Sequence, residues 1–144
     1  MFISSLTNRG ATPALEQMWS YTHVRQGMIA ENVANWGNPD YQTRQLDARA
    51  FQQALGEALD ERGNDPTRPL KIRRTAEFRT DQRGRLEVTP TEQPTENLLF
   101  HDGTNMSIER QMADLAENGM MHETVTTLLR GRYASLQKAI RGTV

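Results

Sequence analysis

From Ile108 to Ile140 the apolar residues Met112, Leu115, Met121, Val125, Leu128, Leu129, Tyr133, Leu136 and Ala139 recur at helical spacing. A pattern sustained that far argues one long helix rather than a short globular one. At about 1.5 Å per residue it spans roughly 50 Å. Asn105 or Ser107 can cap its start, and Arg130, Arg132, Lys138 and Arg141 bring positive charge toward its C-terminus, where the helix dipole favours it. Gly119 and Gly131 interrupt it at about 1 kcal/mol each relative to Ala. The sequence leaves open whether they admit a close neighbour or are simply tolerated.

A second stripe lies near the N-terminus. Leu15, Met18, Trp19, Tyr21, Val24, Met28, Ile29 and Val33 form an apolar band wider than one partner helix requires. Thr12 as N-cap and Pro13 at the first turn open this helix, and Gly37 with Asn38-Pro39 closes it near Trp36. Asn32 and Asn35 share one face with Met28. Amides among apolar neighbours must find hydrogen-bond partners, so both are expected to bond across helices.

The expected fold is mainly α: long N- and C-terminal helices packed as an antiparallel, coiled-coil-like pair around a largely irregular middle. Residues 1–12 read as a flexible start, 13–36 as the N-terminal helix, and 105–144 as the C-terminal helix. Residues 37–104 hold a corner, a short helix at 47–59, a linker and a short β-hairpin, in part disordered. The hairpin is expected to pair Leu70–Arg74 with Arg85–Thr89 around a turn at Asp81–Gly84. The proline-rich stretch 89–96 reads as extended or disordered. Hydrophobic residues make up only 36% of the 144, against roughly half in compact domains. The middle is therefore expected to form no core, and the broad stripes to await an assembly partner.

Composition also excludes functions. Acidic and basic residues nearly balance at a net charge of −1, so the electrostatic footprint of nucleic-acid binding is missing. The chain has no cysteine, which removes disulfides and thiol catalysis. His23, His101 and His122 show no metal-ligand spacing, His101-Asp102 reads as a surface turn, and the serines lack a nucleophile context. No small-molecule substrate, cofactor, metal or catalytic residue is expected. The seven methionines read as adaptable packing material.

The stretch Ile29, Ala30, Asn32, Ala34, Asn35, followed by Pro39 and Tyr41, resembles the signature of the bacterial flagellar rod and hook proteins. The family corner reads Thr-Pro-Gly-Tyr; here Asp40 replaces the glycine, a residue that tolerates left-handed backbone better than most. Asp102-Gly-Thr-Asn-Met106 and the segments 108–118 and 128–140 are similar to the family's C-terminal helix. Leu70–Thr75 and Asn118–Thr124 look like those of a proximal rod member. The resemblance implies a structural protein of the basal body, exported through the flagellar type III apparatus without signal cleavage and assembled in the periplasm. Implied partners are further copies, other rod proteins, a FliE-like adaptor, the membrane ring and the export apparatus. It further implies that Leu115, Val125, Leu129, Leu136 and Ile140 pack the subunit seam. Phe51 and Leu55 resemble the short Phe-x-x-x-apolar signal that engages the export gate, although Phe51 also reads as a helical anchor. A coiled-coil adaptor, an export chaperone or a sister rod protein is the alternative.

Overall fold

A computed structural model describes residues 10–38, 40–65, 68–82, 84–92 and 105–142, the last stretch with side chains from residue 108. Helix α1 (Thr12–Ala34) runs antiparallel to α3 (Asn105–Arg141), and α2 (Ala48–Arg62) lies between them in the chain. Two short antiparallel sheets complete the fold: β1 (Arg44–Gln45) with β4 (Thr91–Glu92), and β2 (Phe78–Thr80) with β3 (Leu86–Val88). The expectation of long terminal helices packed together is met. Among the described residues, no helix is long and apolar enough to cross a membrane.

Both ends of α1 differ from the sequence reading. The N-cap is Ala11, without a side-chain cap bond, and Thr12 is the first helical residue and buried. Pro13 still falls in the first turn, where its fixed φ fits and its missing N–H costs nothing. At the other end Asn35 is the C-cap, so the helix stops two residues before Trp36. Gly37 does not take positive φ there. Successive tight bonds, Asn38 N–H to Asn35 C=O at 2.9 Å and Tyr41 N–H to Asn38 C=O at 3.2 Å, turn the chain instead. Asp40 donates its N–H to Asn38 Oδ1 at 3.1 Å. No described non-glycine residue has positive φ, so this corner works without the left-handed conformation that a glycine would supply.

Helix α2 is capped by Asp47, whose carboxylate accepts from the Arg49 and Ala50 N–H groups at 2.9 Å. It runs one turn beyond the expected end and stops at Gly63, where φ is +57°. Phe51, Ala54, Leu55 and Ala58 form its buried face at helical spacing. The hairpin is real but shifted. Thr75 N–H bonds the Phe78 carbonyl at 2.8 Å and Thr75 Oγ1 accepts from Phe78 N–H at 3.0 Å. This turn places Phe78–Thr80, not Leu70–Arg74, beside β3. The displaced segment leans on β2 through a side chain, with Ile72 N–H donating to Thr80 Oγ1 at 2.9 Å. Gly84, at φ +81°, makes the turn expected at Asp81–Gly84. Strand β4 draws Thr91 and Glu92 of the proline-rich stretch into a ladder with β1.

The largest correction concerns the middle, which does build a core. Tyr21, Met28 and Ile29 of α1 pack with Leu46, with the buried face of α2, and with Leu70, Ile72, Phe78 and Leu86. Tyr21 stacks on Phe51 at 4.0 Å between ring centroids, and Phe78 meets both rings edgewise or tilted. Aromatic rings bury large areas and gain further from such contacts, so few apolar residues suffice. The broad stripe of α1 is thus shared between the middle on one side and α3 on the other.

Candidate assembly interface

Two features of the helix pair bear on function, a junction at the end of α1 and the outward surface of α3. At the junction Asn32 is 3% exposed. Its Oδ1 accepts from the Tyr41 hydroxyl at 2.9 Å and from Arg44 N–H at 3.1 Å. Its Nδ2 donates to the Arg44 carbonyl at 2.8 Å and reaches Gln111 Oε1 on α3 at 3.5 Å. One amide therefore fastens the returning chain to α1 and touches α3. Tyr41 is held above the ordinary phenol pKa by burial, then by Glu31, with Arg44 opposing. Asn35, in contrast, spends its Nδ2 on the Glu31 carbonyl of its own helix at 2.9 Å. Among the described residues it makes no cross-helix bond, because it sits past the last helical residue, at the rim. Ile29 lies in the core, and Pro39 falls outside the described residues.

The seam between α1 and α3 is unusually polar. Asn118, fully buried, donates to the Thr22 carbonyl at 2.9 Å and to Gln26 Oε1 at 2.7 Å. Thr22 meets His122 at 2.8 Å, Arg25 faces Asp114 at 3.9 Å, and Tyr133 donates to Glu16. That bond, then burial, pushes the Tyr133 phenol up to about 12. Gln17 turns the other way, donating to the Leu70 carbonyl at 2.9 Å. Apolar contact along the seam centres on Val125 and Leu129, at 2% and 8% exposure. Both are buried within the single chain. Leu115 packs half-buried against the core, Leu136 is half-buried, and Ile140 is 73% exposed.

Phe51 and Leu55 are both buried in the core, where Phe51 stacks on Tyr21. A receptor reading that pair needs the chain unfolded. His101 and Asp102 lie outside the described residues.

The sequence reading followed large apolar residues and so missed the outward face of α3. Ala113, Ala116, Met120, Thr124, Thr127 and Gly131 are all exposed. They follow one another in steps of three or four, placing them on one stripe away from α1, and none is charged. A Cβ on Gly131 would meet nothing within 4 Å, and one on Gly119 only the Gln26 amide at 3.8 Å. Neither glycine is required by the fold of the single chain. Among the described residues, five of the seven large exposed apolar side chains, Met112, Met120, Leu128, Tyr133 and Ile140, also belong to α3. The signal for this stripe was the absence of charge at helical spacing.

No family model and no solved structure matches the chain. Among curated proteins it is similar to the flagellar basal body rod protein FlgB of Bacillus subtilis (strain 168), 22% identical over 139 residues, covering 92% of this chain and 95% of the relative. FlgB of Escherichia coli (strain K12) is 25% identical over 124 residues, 81% of this chain and 83% of the relative. FlgB of Cereibacter sphaeroides (strain ATCC 17023) is 29% identical over 119 residues, 83% and 84% of the two chains. The likeness therefore runs through most of the chain, and each of these three relatives carries the name of a flagellar basal-body rod protein.

Proposed function

We propose that this chain is a structural subunit of the bacterial flagellar basal-body rod, placed at its proximal end, and not a catalyst. The observation that carries the reading is the extent of the likeness: similarity to rod proteins over more than four fifths of the chain. The antiparallel helix pair, with its pinned junction at Asn32, supports a wall element that presents helices to its neighbours.

In this reading α1 and the middle fold after export, and α3 offers the uncharged stripe from Ala113 to Gly131 to an adjacent subunit. Burial there removes apolar area from water, and Gly131 lets a neighbouring backbone approach closely. The partners are further copies, other rod proteins, and a FliE-like adaptor at the membrane ring. Export proceeds through the type III apparatus without a cleaved signal. Phe51 and Leu55 serve as the export-gate signal only in the unfolded chain.

Electron microscopy of basal bodies from a strain lacking this gene tests the proposal. Membrane rings without a rod, and non-motile cells, are expected. Intact rods and motile cells would remove it and favour an adaptor role.

A further inference from the structure

The seam of α1 and α3 also gathers three rings that rod assembly does not use. Trp19 and His23, one turn apart on α1, stack with centroids 5.4 Å apart and planes within 1°. His122 comes across from α3 to 5.7 Å from Trp19 and 6.1 Å from His23. Hydrogen bonding sets the form of His122. The Thr22 hydroxyl carries one proton and lies 2.9 Å from the Met18 carbonyl and 3.1 Å from that of Trp19. With that proton given to its own helix, Thr22 Oγ1 accepts from His122 Nδ1 at 2.8 Å. The neutral ring then keeps its lone pair on Nε2. An imidazole held at one nitrogen by a hydrogen bond, with the other free, is the usual form of a histidine metal ligand.

The spacing suits a shared ion. With metal–nitrogen distances of about 2.0–2.1 Å, two imidazoles on one tetrahedral ion have centroids roughly 5 Å apart. Reaching that value from the observed 6.1 Å requires His23, which is exposed, to rotate out of its stack on Trp19. We propose that His23 and His122 form a two-imidazole clasp for a late first-row divalent ion, the class of Zn2+, Ni2+ and Cu2+. The ion fastens α3 to α1. Among the described residues no group of three or more His, Cys, Asp or Glu side chains could hold a metal. Water fills the remaining positions, and the site is open and exchangeable.

The test uses the untagged full chain carrying Trp36→Phe, so that Trp19 is its sole tryptophan. Titration with Ni2+ is expected to quench Trp19 saturably in the micromolar range. His23→Asn and His122→Asn, each with unchanged helicity by circular dichroism, are expected to weaken binding about tenfold or more, equivalent to about 1.4 kcal/mol. Bridging has its own readout: Ni2+ slows amide hydrogen exchange around His122 in the parent and in neither variant. Quenching that rises without saturation, or parental affinity in either variant, overturns the site. So does exchange slowed equally in a variant.

Discussion

Asn32 and Asn35 are three residues apart, carry the same side chain, and have different energetic weight. Asn32, itself buried, satisfies a backbone N–H, a backbone carbonyl and a phenol within a part-buried junction. Its replacement removes these bonds and leaves an unfilled polar pocket at a position where a lost buried partner costs about 1–3 kcal/mol. Asn32→Leu should lower stability in urea unfolding by at least about 2 kcal/mol, whereas Asn35→Ala should change it by less than about 0.5 kcal/mol. Equal losses would disprove the junction. Tyr21 makes the reverse case, since its buried hydroxyl has no hydrogen-bond partner among the described residues. Burial pushes its pKa up to about 12, with Glu77 and Asp47 adding and Arg25 opposing. The folded state thus holds a proton that the unfolded chain releases near pH 10. Stability from this group is full below about pH 10 and is lost as pH rises toward 12. Tyr21→Phe should be neutral to stabilising by up to about 1 kcal/mol at pH 7 and should flatten the alkaline decline. An unchanged profile in pH-dependent melting would count against this account.

At the level of elements, α3 has two faces with separate tasks. The inner face holds Val125, Leu129 and Asn118 against α1, and the outer one is the uncharged stripe centred on Met120. Burying a charge at Val125, 2% exposed, should unfold the helix pair, so Val125→Asp should lose helicity in the isolated chain. Met120→Glu, on a side chain 66% exposed, should shift stability by less than about 0.5 kcal/mol while blocking rod assembly. Normal rods built from Met120→Glu would eliminate the outer stripe as a docking face. Sequence periodicity located both helices because a 3.6-residue repeat is a local property. It could not rank the two faces of α3, because small uncharged residues look like filler until the chain is seen to leave them bare.

Across the whole molecule, stability is unevenly spread. The aromatic core of Tyr21, Phe51 and Phe78 joins α1, α2 and the hairpin, while among the described residues α3 contributes only Leu115 at the margin of that core. Helix α3 is held instead along its seam with α1, where Val125 and Leu129 are buried and the hydrogen bonds contribute about 1 kcal/mol each after exchange with water. Such a helix belongs to the low-stability end of a structure. Amide hydrogen exchange should show α1 and α2 protected against global unfolding and α3 opening by a separate, easier route. A single cooperative opening of all three helices would contradict this division.

Some of this protein is written in local pattern. The two terminal helices, the capped start of α2 at Asp47 and the turn at Asp81–Gly84 follow from spacing, capping and glycine conformation, which act within a few residues. The rest depended on which distant residues meet. The core of the middle rests on rings from three segments. The hairpin slot fell to Phe78–Thr80 because a turn at Thr75 displaced Leu70–Arg74. The division of labour between Asn32 and Asn35, and the approach of His122 to His23, required α3 to lie along α1. Local propensity carries no information about such pairings, because their free energy exists only once the chain has closed on itself.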